Sequence, residues 1–356
     1  MDNLDNIAEI AKFDKGNVYG SIQALPRQVL QAWKEIKEIQ IPDLYREVDN
    51  IVLSGMGGSA LGGRVLHSLF LANLRIPFEV VTDYRLPGYV NHKSLVIISS
   101  YSGNTAETIS SFNEALNKKG QIFVITTGGK LAEYAKEKNT PIYIYEPREN
   151  PSGQPRMALG YSITALLALF SKLGLIQTND NDINSCITSM NRLAVLFDAR
   201  YPESNNLAKM LSKKIKGKIP VIVASSHLLG IAHAFKNQVN ENSKSFSLLF
   251  DIPELNHHLL EGLKNPALAK ELYKFVFLES DIYDPDIFKR YKITQDVILK
   301  NEVGFEKYHL ETITKLEQVF EILLLGSFVS FYLAMLYGID PTPIPWVDYF
   351  KKELEK

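Results

Sequence analysis

Five short apolar runs recur between residues 51 and 145. They are Ile51-Val52-Leu53, Phe78-Glu79-Val80-Val81, Leu95-Val96-Ile97-Ile98, Ile122-Phe123-Val124-Ile125 and Ile142-Tyr143-Ile144-Tyr145. Helical stretches separate them, at 60–71, 105–117 and 130–138. Runs this apolar suit strands covered on both faces, and strands that alternate with helices are joined by parallel crossovers. The pattern predicts an α/β fold with a doubly wound parallel sheet over about 48–146.

The same order returns later. Pro220-Val221-Ile222-Val223-Ala224 is followed by Ser225-Ser226-His227, then by a helical stretch from Ile231 to about Asn242. Ser247 to Phe250 and Lys274 to Leu278 read as further strands. The chain has 356 residues, and a single core rarely grows past about 250–300. Two doubly wound domains are therefore expected, each a parallel sheet flanked by helices. The boundaries are a helical segment at 1–45 packing on the domains, a first domain at 46–176 and a second at 177–356. A long apolar helix runs from Met157 to Leu173, and the polar run Gln177 to Asp182 is the best linker candidate. Helices fill 183–214.

Val319 to Tyr337 is nearly apolar and long enough to tempt a membrane assignment. It carries Glu321, Gly326 and Ser327 and stands alone in a soluble sequence, so it is expected to be a buried core helix. The start, Met1-Asp2-Asn3-Leu4-Asp5, is acidic and lacks the apolar stretch of a signal peptide. The expectation is a cytoplasmic protein. A net charge of -1 argues against broad electrostatic capture of nucleic acid or an anionic membrane, while a small anion held locally stays open. The single cysteine, Cys186, permits no intrachain disulfide and reads as a buried apolar residue. No Cys/His cluster has zinc spacing.

Ligands of doubly wound sheets sit at the carboxyl ends of strands, where helix amino termini offer unsatisfied N–H groups to anions. Two turns there are rich in small polar residues. Gly55-Met56-Gly57-Gly58-Ser59 lets backbone approach a ligand closely, but it lacks the P-loop Lys-Ser/Thr and the dinucleotide glycine spacing. A plain tight turn explains it equally well. Ser99 to Thr108 is more telling: Ser100, Ser102 and Thr105 surround Gly103 at a helix start. Capping explains Thr105 and leaves the two serines to bind phosphate.

GMGGSALGG followed by SSYSGNTAET, each after an apolar strand, resembles the sugar isomerase (SIS) domain. Further segments narrow the resemblance. They are Pro155 to Gly160, Lys236 to Lys244, Pro253-Glu254-Leu255-Asn256-His257, Asp340-Pro341, and a final amphipathic helix with Lys351. In this order they resemble the bifunctional phosphoglucose/phosphomannose isomerase family of bacteria and archaea, over about 20–354.

The resemblance implies two SIS domains and a homodimer whose active site, lying between domains, is completed by the neighbouring subunit. It implies interconversion of glucose 6-phosphate, mannose 6-phosphate and fructose 6-phosphate without a metal or other cofactor. It makes Glu241 the base; the plainer alternative is an exposed helix glutamate paired with Lys244. Arg156 becomes the stabiliser of enediolate charge; otherwise it is an arginine at the positive end of a helix dipole, a mismatch that favours a functional role. His257 is implied to open the sugar ring from the other subunit, although His258 stands where the family usually has Asn. Lys351, with Lys352 beside it, is implied in ring opening or proton shuttling. Thr342 is placed to orient a water near the sugar, and turn chemistry explains it almost as well.

The phosphate is expected on Ser59, Ser100, Ser102 and Thr105, with Gly57 and Gly58 close to the substrate. Rotation about the carbon 2–carbon 3 bond would let one base serve both aldoses. Two alternatives stand beside this reading. A non-catalytic SIS phosphosugar sensor would not need Glu241, Arg156 and His257 together. An isomerase of another phosphosugar, such as an amino sugar, is the second; no glutaminase domain or N-terminal Cys nucleophile is present to supply ammonia.

Overall fold

The structure is a computed structural model that describes residues 3–354. Three helices come first, α1 (Ile7–Phe13), α2 (Val18–Gln23) and α3 (Leu25–Glu38), with Pro26 in the first turn of α3. The first sheet is built from β1 (Asn50–Gly55), β2 (Phe78–Val81), β3 (Ser94–Ser100), β4 (Gln121–Thr126) and β5 (Ile142–Ile144). Its crossovers contain α4 (Gly58–Phe70), α5 (Ala106–Asn117) and α6 (Gly129–Glu137). The strand order is β2-β1-β3-β4-β5 and every pair is parallel. All five apolar runs are strands, and β3 is buried along its whole length, as crossovers on both faces require.

α7 (Leu159–Lys172), α8 (Asp180–Phe197) and α9 (Leu207–Ile215) lead to the second sheet. That sheet contains β6 (Ile219–Ala224), β7 (Leu248–Asp251), β8 (Tyr273–Glu279) and β9 (Gly304–His309), in the order β7-β6-β8-β9, again all parallel. Between them lie α10 (Leu229–Asn242), the short α11 (Leu259–Gly262) and α12 (Ala269–Leu272), and α13 (Pro285–Lys300). α14 (Lys315–Tyr337) and α15 (Pro345–Leu354) follow. The apolar pattern does not reveal β9. It is an edge strand, half-buried, and Glu306 within it pairs with Lys274 on β8.

The polar run at 177–182 starts a helix. The Asn179 side chain accepts from the amides of Asn181 and Asp182, and the Asp182 carboxylate accepts from the Asn179 N–H. This reciprocal capping box uses up the polarity that the sequence displays there.

α14 has the length and apolarity of a membrane span, yet the protein itself covers it from Glu317 to Leu336. Fully buried Glu321 accepts from Tyr308 Oη at 2.8 Å, the amides of Glu311 and Thr312 at 2.9 and 3.0 Å, and Thr312 Oγ1 at 2.7 Å. Four donors replace the water that a buried carboxylate loses. Cys186 is buried on α8.

The two sheets are joined through α4 and α10. Gly230, at the start of α10, lies against the backbone of Arg64 and Val65, and a methyl group there would overlap the Arg64 carbonyl. The other end of α10 reaches the start of α4 through Arg156, which bonds Asn242 while Gly58 faces Pro155 and Arg156. The helices therefore run past each other in opposite senses, and each sheet brings one helix start to this junction.

The turn after β3 requires a glycine at position 103. Its φ is +67°, and a Cβ would collide with the Gly128 carbonyl oxygen. Gly103→Ala is expected to destabilise the fold by about 2–4 kcal/mol through left-handed strain and overlap, read as a lower denaturant midpoint.

Candidate active site

The strand order of the first sheet reverses between β1 and β3, so their carboxyl ends open a crevice. Both hydroxyl-bearing turns sit there. Ser59 Oγ accepts from the Tyr101 amide at 3.0 Å and ties the two turns together. Buried Ser100 accepts from the Gly103 amide and donates to Thr105 Oγ1, both at 3.1 Å. Ser102 is exposed and accepts from the Asn104 amide at 3.3 Å. Thr105 occupies the N-cap position of α5, but its hydroxyl pairs with Ser100 and does not cap the helix. The first-turn amides of α5 thus have no side-chain cap, which is what an incoming anion requires. A small cavity beside the turns is lined by Gly58, Ser59, Ser99, Tyr101, Pro155 and Ser162.

Arg156 lies next to this crevice. It sits in a 3-10 turn, Pro155–Met157, ahead of α7, so it is not part of the long helix expected from Met157. Its side chain is 1% exposed. Nε donates to Asn242 Oδ1 at 2.6 Å, and Nη1 to Gln154 Oε1 at 2.8 Å. Nη2 donates to the carbonyls of Pro341 and Thr342, both at 2.8 Å. The remaining Nη1 contact is with Glu241 Oε2 at 3.5 Å. A guanidinium has five N–H donors, and this one has five partners, of which Glu241 is the longest. Burial lowers its pKa, and the charges of Glu241 and Asp348 oppose that.

Glu241 is on the last turn of α10, with its side chain 30% exposed. Burial raises its pKa above the ordinary carboxylate value, against the pull of Arg156, Lys351 and Lys244. A carboxylate in this state is a stronger base than a free one. Lys244 is not its ion-pair partner. The ammonium donates to the backbone carbonyls of Asn242, Asp340 and Pro341 at 3.0–3.2 Å.

Lys351 is exposed on α15, near enough for its charge to act on Glu241, and Lys352 is exposed beside it. His257 ends the 3-10 turn after β7 and is exposed. The charges acting on Glu241 include those of Arg156, Lys351, Lys244 and Lys236, all from one chain. His258 packs its ring against Phe250, with centroids 6.1 Å apart. Thr342 donates its amide to Asp340 Oδ1 at 2.9 Å and gives its carbonyl to Arg156, while its buried hydroxyl has no hydrogen-bond partner. Gly57, with φ +50°, opens α4 and faces open space.

Sequence reasoning missed Gln154, Asn242 and Lys244. Asn242 and Lys244 follow the proposed base in the run Lys236 to Lys244, but nothing in their spacing says that one bonds Arg156 and the other a distant loop.

The SIS domain family matches residues 44–174, and the family described as the bacterial phospho-glucose isomerase C-terminal SIS domain matches 204–354. The bifunctional phosphoglucose/phosphomannose isomerase of Caldicellulosiruptor bescii is 38% identical over 95% of this chain and 98% of its own. The protein of that name from Aquifex aeolicus is 34% identical over 91% of this chain and 94% of its own. The crystal structure of tagatose-6-phosphate ketose/aldose isomerase from Escherichia coli shares the fold, with a TM-score of 0.74 at 16% identity over 92% of this chain and 96% of that one. On residue identity across nearly its whole length, the chain belongs to the bifunctional phosphoglucose/phosphomannose isomerase family.

Proposed function

We propose that this chain interconverts glucose 6-phosphate and mannose 6-phosphate with fructose 6-phosphate by moving a proton between carbons 1 and 2, without a metal. The observation that carries the reading is the Glu241–Arg156 pair, a base of raised pKa beside a buried cation, next to the hydroxyl-bearing crevice. The names of the relatives support the substrate assignment.

Ser59, Ser100, Ser102, Thr105 and the first amides of α5 hold the phosphate, with Gly57 and Gly58 letting the sugar approach. Glu241 takes the proton from one carbon and returns it to the other. On accepting the proton, Glu241 loses its charge. The long Nη1 contact of Arg156 is then the one to be exchanged for the enediolate oxygen, because the other four hold the guanidinium in place. A fixed positive charge at the developing oxyanion supplies what a metal would otherwise provide. Rotation about carbon 2–carbon 3 presents either face of the open chain to Glu241, which serves both aldoses.

Ring opening is assigned to His257 of a second copy in a homodimer, with Lys351 as its partner and Thr342 positioning a water. In this reading residues 46–176 supply the phosphate site, 177–356 the base, and 1–45 pack against both. Gln28 on α3 supports the arrangement, bonding the carbonyls of Glu149 and Met157 on either side of Arg156. The enzyme is assigned to the cytoplasm.

A coupled assay with fructose 6-phosphate in EDTA tests the reading. Both aldose phosphates are expected as products at undiminished rate. Ser102→Ala and Thr105→Val are each expected to raise KM about tenfold with kcat within about threefold, as for hydrogen bonds to a charged group that is the same in ground and transition states. Activity lost with EDTA overturns the metal-free mechanism, and variants with unchanged KM remove the phosphate from this turn.

A further inference from the structure

Lys244 is a cation beside Glu241 to which the proposed mechanism gives no task. It lies two residues past the end of α10, at φ +52°, a left-handed conformation unfavourable for a residue with a side chain. Something must hold it there, and the structure supplies it. Its ammonium donates to the carbonyls of Asn242 at 3.2 Å and of Asp340 and Pro341 at 3.0 Å. Three ammonium hydrogens meet three carbonyl oxygens.

Asp340 and Pro341 belong to the loop between α14 and α15. Arg156 binds the same loop from its other side, through the carbonyls of Pro341 and Thr342. Two cations thus grip three consecutive carbonyls and share the middle one. α15 buries none of its residues in this chain, so its position depends on this attachment. Lys351, which acts on Glu241, is carried by α15.

We propose that Lys244 is a positioning residue for the isomerase reaction, latching the Asp340–Thr342 loop so that Arg156 points Nη1 at Glu241 and α15 holds Lys351 in range. The latch depends on the ammonium charge, because a carbonyl trio attracts a cation more strongly than a neutral amine. Burial and the nearby Arg156 charge push the Lys244 pKa down to about 8, against Asp340 and Glu241. The charged groups around it are Glu241 on its own helix, Arg156 from the 3-10 turn and Asp340 from the gripped loop. Asp14 near α2 faces Asp340, and Asp348 and Lys351 on α15 face Arg156 and Glu241. The latch is complete below about pH 8 and weakens above it.

The proposal rests on the assignment of Glu241 and Arg156 above, so Glu241→Gln is assayed in parallel. In Lys244→Met, kcat for fructose 6-phosphate is expected to fall about 10- to 50-fold from misplaced catalytic groups, with KM within about threefold because the phosphate turn is untouched. Losing the three hydrogen bonds that hold residue 244 in its left-handed conformation lowers the unfolding midpoint modestly, so the latch is read from the split between kcat and KM, the pH limb and the rescue by Arg. The wild-type kcat declines on the alkaline side with a midpoint near 8, and Lys244→Met lacks that limb. Lys244→Arg restores most of kcat and moves the limb to higher pH. A Lys244→Met enzyme with kcat within twofold and the limb intact overturns the latch. So does a loss of kcat that tracks a lowered unfolding midpoint and is not rescued by Arg. An active Glu241→Gln enzyme refutes the base assignment instead, which separates the two failures.

Discussion

Glu241→Gln is expected to lower kcat by about 10³–10⁴-fold in both directions and for both aldoses, at the upper end of what a positioned general base contributes. KM should stay within a few-fold, since the phosphate anchor is unaffected. The amide keeps the shape and can still accept from Arg156, but it cannot take a proton from carbon. The wild-type rate should fall as pH drops through the Glu241 pKa, which burial holds above the ordinary carboxylate value, and the residual rate of the variant should lack that limb. Stability should move the other way. A carboxyl whose folded pKa is raised binds its proton more tightly folded than unfolded, so its contribution is present at low pH and lost as pH rises through the folded value. At neutral pH the neutral glutamine is therefore expected to unfold no earlier than the wild type. A kcat loss accompanied by an equally marked loss of stability would point to a structural role for Glu241.

Arg156→Met is expected to cost about 3–5 kcal/mol of stability, the range for removing one partner of a buried charged network. Four well-formed hydrogen bonds disappear together; Asn242 Oδ1, Gln154 Oε1 and the Thr342 carbonyl lose their donor, and the Pro341 carbonyl keeps only Lys244. kcat should drop about 10²–10³-fold with the loss of oxyanion stabilisation. Arg156 also lowers the Glu241 pKa, so the acid limb of the rate profile should move to higher pH in the variant. Arg156→Lys separates charge from geometry. It should leave the acid limb near its wild-type position, yet still lose stability because an ammonium cannot reproduce the fork. Denaturant titration and pH–rate profiles of the two variants give both answers. A Met variant whose acid limb does not move would break the coupling between the two residues.

The apolar runs made both parallel sheets legible, because double coverage writes itself into composition. The edge strand β9 was hidden for the complementary reason: Glu306 is half-buried against Lys274, Lys307 is exposed, and its pattern is that of a polar segment. α14 was readable as a core helix from Glu321 and Gly326, although the four donors around Glu321 come from residues 308–312, outside the helix. In the site, the position of Thr105 at a helix start was legible and the partner of its hydroxyl was not. Arg156 was singled out by the family resemblance, with a charge at odds with a helix dipole as added support. In the structure its charge is matched by segments at 154, 241–242 and 341–342, too far apart in sequence for any spacing rule to join. A pair with Lys244 was the plainer alternative for Glu241, because charges three apart on a helix are neighbours. The left-handed backbone at 244 turns the side chain toward another loop instead.

The backbone contact of α4 with α10 at Gly230 has a further consequence. Ser59 starts one of these helices and Glu241 ends the other. Helices in contact at the main chain do not slide without losing that packing, so under the proposed mechanism the span from phosphate anchor to base is a fixed ruler. A sugar phosphate one carbon shorter or longer carries its carbonyl to the wrong mark, and an error of about 1 Å is enough to cost a hundredfold in rate. Discrimination by chain length is then expected to rest on the packing of two helices as well as on the residues that touch the sugar.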